Sequence, residues 1–423
     1  MKLLNAPAAS SPRRPSSALA PLSTPIFRRV WIAAMASNLG SWMQNVAAAW
    51  MMATLSTSPR LIALVQTATT LPVFLLAVPA GAIADLADRR KLLLATQAWM
   101  LGAAAALGAV TLAGAARPAT LLLLTFALGL GGAMNAPAWQ STVPQLVPRD
   151  QLAAAIALNS MQFNIARAVG PALGGLAISI WNPGVAFLLN ALSFLGVLFV
   201  LWSWRGDAGR NDERGESVAE AMRAGFRYVR RAPAMHAVMA RTVTFVLGAS
   251  ALWALLPVVA KHEIGSGSGG YGVLLGCLGA GSVGATTVFA RWRRLYSADR
   301  ITVAGALLFA AATFGLGYLS DFRALAAAMV AGGFAWLSTM ASFNVSAQTA
   351  LPDWVRARAL SFYLLSFQGS LAIGSWMWGE VASRAGTRVT LLAASASLVA
   401  GTAAARRWRL AETCELEEAR LRA

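Results

Sequence analysis

Stretches of about twenty residues almost free of charge recur along the whole sequence, and they leave such a chain few options. Crossing roughly 30 Å of hydrocarbon takes about 20 apolar residues as an α-helix, because only a helix or a closed barrel hydrogen-bonds its own backbone away from water. The runs fall at about 27–55, 60–84, 91–114, 118–142, 151–180, 184–203, 234–260, 270–291, 300–319, 323–347, 355–383 and 387–406. Turns rich in Pro, Gly, Ser or charge separate them, such as Ser58-Pro59, Asn182-Pro183-Gly184 and Pro352-Asp353. They are too long for barrel strands and do not alternate. The expected fold is therefore all-α integral membrane, with twelve transmembrane helices. At 12% charged residues against 57% hydrophobic, a water-soluble enzyme is excluded, since soluble domains carry about 25% charge. Cys277 and Cys414 are too few for a disulfide framework or a thiolate metal site.

The net charge of +18 invites a nucleic-acid reading, but the basic residues are scattered in short clusters between apolar runs, which is a topology signal. With both termini cytoplasmic, the inner segments hold 27 Lys and Arg and the outer loops six. Arg167 and Arg241 fall inside spans. That asymmetry supports an even number of spans in a bacterial plasma membrane. Residues 1–25 lack the apolar core of a signal peptide and read as a disordered cytoplasmic tail.

An internal repeat sharpens the picture. At an offset of 204 residues Gly170 meets Gly374, Gly175 meets Gly379, Pro148 meets Pro352, and Arg89-Arg90 meets Arg293-Arg294. The expected organisation is a six-helix bundle at 26–204, a cytoplasmic linker at 205–233, a second bundle at 234–408 and a cytoplasmic tail at 409–423. Two pseudo-symmetric bundles of this kind build many secondary transporters, with the site near the bilayer midplane between them.

The turn after the second span reads Gly81-Ala82-Ile83-Ala84-Asp85-Leu86-Ala87-Asp88-Arg89-Arg90-Lys91. It resembles the signature loop of the major facilitator superfamily, Gly-x-x-x-Asp-basic-x-Gly-Arg-Arg/Lys, with Leu86 in the basic position and Asp88 in that of the second glycine. The fifth span carries Ala166-Arg167-Ala168-Val169-Gly170-Pro171-Ala172-Leu173-Gly174-Gly175, similar to the superfamily's antiporter motif. Proline bends such a helix and the glycines allow close packing against a partner, for which the glycine-rich eighth span is the candidate. The stretch from Phe27 to Gly175 resembles the branch containing enterobactin exporters and macrolide efflux pumps. The resemblance implies gating roles for Gly81, Asp85, Asp88, Arg89, Arg90, Gly170 and Pro171. It also implies alternating access, a small amphipathic substrate and export, with uptake of a small solute by the same fold, or a non-transporting membrane receptor or scaffold, as the alternatives.

Candidate cavity residues follow from polar and aromatic stripes on otherwise apolar helices. Asn38, Trp42 and Asn45 share one face of the first span, and Asn135 and Trp139 one face of the fourth. The repeat maps the latter pair onto Thr339 and Phe343. Interhelical hydrogen bonding explains single Asn or Thr residues equally well. A cation near the bilayer centre costs about 2.5–3.5 kcal/mol on insertion scales and usually faces water or a partner. Neither Arg167 nor Arg241 has a carboxylate mate within its span. Either attracts an anion, or Arg167 pins carbonyls freed by Pro171 and Arg241 snorkels to the surface. Proton coupling is implied by the resemblance, yet no Asp or Glu lies mid-span, and His236 and His262 sit near the ends of the seventh span. No nucleophile elbow, zinc motif or phosphate loop is present, and Gly279-Ala280-Gly281-Ser282-Val283-Gly284 is a dinucleotide-like decoy inside a span. The expected partners are a small molecule and the lipid bilayer, with no cofactor, metal or nucleic acid.

Overall fold

The computed structural model describes residues 19–204 and 218–410. Within them, the side chains at 77, 78, 82, 85, 86, 218–224, 353, 354, 357 and 358 are outside the description.

The described residues form thirteen α-helices and no strands. Six make up the first half: α1 (Pro25–Leu55), α2 (Pro59–Leu86), α3 (Arg89–Leu112), α4 (Pro118–Thr142), α5 (Leu152–Ile180) and α6 (Pro183–Ser203). A short α7 (Val218–Arg231) follows. The second half comprises α8 (Pro233–Val258), α9 (Gly267–Leu295), α10 (Ala298–Tyr318), α11 (Phe322–Thr349), α12 (Asp353–Ala385) and α13 (Thr387–Ala405). Local chemistry sets the boundaries. Proline opens α1, α2, α4, α6 and α8, where its missing N–H costs nothing. The side chains of Asp88, Asn182, Ser297 and Asp321 accept first-turn N–H bonds at the starts of α3, α6, α10 and α11. Gly386, at φ 85°, turns α12 into α13.

Among the described residues ten helices are long and apolar enough to cross a bilayer. The two long helices that fall short in apolarity are α1, which carries Asn38, Gln44 and Asn45, and α12, which carries Arg356, Glu380 and Arg384. Large apolar side chains such as Leu123, Leu192, Phe199 and Trp202 face outward, as a lipid solvent requires.

Corresponding helices of the halves start 201 to 209 residues apart. The contacts obey the same exchange. Helix α1 packs on α5 and α6, α2 on α4, and α3 on α4 and α6; likewise α8 packs on α12 and α13, α9 on α11, and α10 on α11 and α13. Two long seams join the halves, α2 with α12 and α5 with α9, and these too interchange under the repeat.

Three details differ from the sequence expectation. The linker contains a helix: α7 docks on α12 and α8, with Phe226 and Phe362 rings 6.0 Å apart. Its 14 residues are too short to span. The first tail is ordered before residue 25, where a 3₁₀ turn at Ala20–Ser23 buries Pro21 against the bundle; residues 1–18 lie outside the described ones. Past α13 the chain is held through Leu410, whose N–H donates to Asp299 Oδ1 at 3.1 Å.

Candidate functional site

A cavity of about 710 Å³ opens in one half of the molecule, lined wholly by the first bundle. Helix α1 gives it Ala34, Ser37 and Asn38, α3 gives Gln97, and α6 gives Val197. From α4 come Asn135, Trp139 and Gln140, and from α5 Ile156, Asn159, Ser160, Gln162, Phe163 and Asn164. Seven of these side chains are carboxamides and none carries a charge. Asn135 Oδ1 accepts from Thr96 Oγ1 at 3.1 Å and Gln97 Nε2 at 3.2 Å, which fixes its amide. Gln97 Oε1 and Gln162 Nε2 are buried without a partner. Both atoms are closed to solvent as the cavity stands, so they meet a ligand or water only if their amides turn.

The structure thus brings Asn38, Asn135 and Trp139 together, while Asn45 points outward and Trp42 lies beyond the lining with its ring edge-on to Phe163 at 6.4 Å. Thr339 and Phe343 do not complete a symmetric cavity. Both are buried in the second bundle, where Phe343 packs against Phe245, itself 5.5 Å from Phe309 and 5.8 Å from Trp336. Aromatic rings there fill the volume that amides leave open in the first bundle.

The arginines diverge. Arg241 is buried and fully partnered: Nη1 lies 2.8 Å from Asp299 Oδ1 and 3.1 Å from Thr302 Oγ1, and Nε donates to the Trp408 carbonyl at 2.7 Å. The expectation of an unmated cation at Arg241 is corrected; its carboxylate comes from the first turn of α10 rather than from its own span. Arg167 makes no hydrogen bond or ion pair among the described residues, and its Nη2 is buried and orphaned. It does not pin the carbonyls freed by Pro171.

The cavity occupies the end of the molecule bearing the α2–α3 turn and the basic residues Arg149, Arg291, Arg293 and Arg294, here called the basic end. The opposite end is sealed. A Cβ on Gly175 would sit 2.6 Å from Gly272 Cα, and one on Gly279 2.7 Å from Ala168 Cα, so α5 and α9 meet backbone to backbone. Gly170 and Gly174 bring α5 equally close to Trp42 and Met43 of α1. Arg60 Nε reaches Glu380 Oε2 across the halves at 3.3 Å, and Trp50 stacks on Tyr271 at 5.9 Å.

In the signature loop, Asp88 caps α3 by accepting from Lys91 N–H at 3.1 Å. Arg90 holds the last turn of α6 within the same bundle, bonding the carbonyls of Leu201 at 3.1 Å and Trp202 at 2.7 Å. Among the described residues nothing lies within 4 Å of a Cβ built on Gly81. The Asp85 side chain lies outside the described residues, and Arg89 sits half-buried at the first turn of α3.

A two-bundle helical fold, sealed at one end and hollow at the other, is that of a major facilitator transporter. Residues 16–422 match the transmembrane secretion effector family, and the chain belongs to it. Over 165 residues it is 29% identical to the staphyloferrin A transporter of Staphylococcus aureus, spanning 38% of this chain but only 42% of that protein. An uncharacterized MFS-type transporter of Sinorhizobium fredii, y4rN, is 25% identical over 316 residues, 72% of this chain and 76% of that one. Among solved structures, a bacterial homologue of the lysosomal transporter Spinster, inward-facing and occupied, superposes with a TM-score of 0.73 at 15% identity, covering 93% of this chain and 98% of that one. Family and fold neighbours are transporters, not enzymes.

Proposed function

We propose that the chain is a secondary active exporter of a small amphipathic molecule, siderophore-, macrolide- or drug-like, working by alternating access. The observation that carries this is the opposition of a sealed far end and an amide-lined cavity at the basic end. Positive charge marks the cytoplasmic side, so in this conformation the cavity would face the cytoplasm, as a substrate-loading state of an exporter does. Both termini would then be cytoplasmic, with bundles at 26–204 and 234–408 rocking about the α2–α12 and α5–α9 seams. The glycine seam supports a moving interface: backbone contact without interlocking side chains can part and re-form. Gly81, Asp85, Asp88, Arg89 and Arg90 would lock the cytoplasmic side in the opposite state. Gly170 and Pro171 belong to the hinge at the sealed side. The description of the family as secretion effectors favours export over uptake, and a staphyloferrin A transporter among the relatives fits a siderophore-like cargo.

Accumulation in inside-out membrane vesicles tests the reading, using a catecholate siderophore, a macrolide and a cationic dye under an imposed pH gradient. Protein-dependent accumulation of at least one compound, reduced in Asp85→Asn at equal expression, is expected. Accumulation confined to right-side-out vesicles would make the protein an importer. No movement in either orientation would leave it without a transport role.

A further inference from the structure

Taking the cavity to be the transport site, we propose that its substrate class is an organic anion whose acidic group docks on Arg167 while its hydrogen-bonding body lies along the carboxamides.

The geometry starts from helical register. Ile156, Ser160 and Phe163 line the cavity at spacings of four and three, and Arg167 is the next step of the same stripe at about 3.6 residues per turn. Helical side chains lean toward the N-terminus, so the Arg167 stem runs back over Phe163 and Asn164, both lining residues. Arg167 is not itself among the residues that line the cavity; it lies one helical step beyond them, just before Ala168 and Gly170 bring α5 onto α9 and α1. This is midway along α5, away from the headgroup level where a lipid phosphate could meet it.

Energetics then separate Arg167 from every other deep cation. Guanidinium does not lose its proton, and at mid-span it needs water or an anion. Arg241 solves this internally, with Asp299 and two further oxygens. At the exposed far rim Arg60 and Arg388 pair with Glu380 and Glu263. Arg167 alone among these has neither bond nor ion pair, and its Nη2 is shut off from solvent. Among the described residues no carboxylate lines the cavity to compete for it. A planar five-donor fork with no acceptor suits a bidentate carboxylate or a deprotonated catechol. Trp139 and Phe163 supply aromatic surface to the cavity, and the carboxamides of Asn38, Gln140, Asn159 and Asn164 supply donors and acceptors.

The test is thermal unfolding of the purified full-length protein with matched acid and amide pairs: benzoate and benzamide, 2,3-dihydroxybenzoate and its amide, indole-3-acetate and its amide, N-acetylphenylalanine and its amide. In the wild type at least one acid should raise the unfolding midpoint by several degrees more than its amide. In R167Q that excess should vanish while the amide's own shift is retained. R167K keeps the charge but loses the fork, and should weaken the acid about tenfold or more; this variant decides the matter should R167Q fail to fold. The proposal is overturned if no acid exceeds its amide in the wild type, or if the excess survives in R167Q or is undiminished in R167K. A transporter of neutral compounds would pass the vesicle assay and fail here, so the two readings fall separately.

Discussion

At the residue scale the two intramembrane arginines behave as opposites, and stability measurements should show it. Removing Arg241 takes the cation from Asp299, a carboxylate only 31% exposed that keeps the Leu410 N–H, and a donor from both the Trp408 carbonyl and Thr302. Breaking a buried pair costs about 3–5 kcal/mol, and partial exposure of the acid reduces this to about 2 kcal/mol. Arg241→Ala should therefore lower the unfolding midpoint by several degrees in detergent. Arg167→Met, which removes an unpaired cation, should leave the midpoint unchanged or raise it; a large drop would mean that Arg167 has a structural partner after all. The sequence shows both as isolated cations because Asp299 sits in a different helix, and nothing in a span's own composition reveals a mate reached only by folding. Asp88 offers a second separation. As an N-cap it is worth about 1 kcal/mol, and Asn caps as well as Asp. Asp88→Asn should preserve stability while Asp88→Ala lowers it, and impaired transport in the Asn variant alone would assign the charge a part in gating.

At the element scale, the helices were legible because about 20 apolar residues in lipid admit little else. The repeat was legible for the same reason, through prolines and basic pairs that recur at one offset. Helix α7 escaped a search for long apolar runs, although Phe226 and Val229 sit at helical spacing among arginines. The one-sided cavity escaped too. Phe245, Phe309, Trp336 and Phe343 come from three helices, and only their convergence shows that the second bundle is filled where the first is hollow. The carboxamides of α5, Asn159, Gln162 and Asn164, were visible as letters, but their shared cavity emerged only with α1 and α4 beside them. The α5–α9 seam makes its own prediction. A side chain at Gly175 has no room, since Gly272 Cα lies 2.6 Å from the Cβ position. Overpacking of about 1–3 kcal/mol would bias the protein against the sealed state. Gly175→Leu should lower transport about tenfold at unchanged expression, and wild-type rates in that variant would show that the seam does not need to close.

For the whole molecule, the proposed alternating access requires the α5–α9 contact made at the far end now to part as the basic end closes. A single covalent link across the seam interrogates that motion. Ser179 Cβ lies 3.9 Å from the Cβ position of Gly269, within the range of about 3.5–4.5 Å that a disulfide accepts. The chain has only two cysteines, Cys277 and Cys414, so a background free of thiols needs two replacements. With Ser179→Cys and Gly269→Cys in that background, transport is measured in vesicles before oxidation, after it, and after reduction. Alternating access predicts that oxidation abolishes transport and that reduction restores it. Undiminished transport by the fully crosslinked protein would contradict the account.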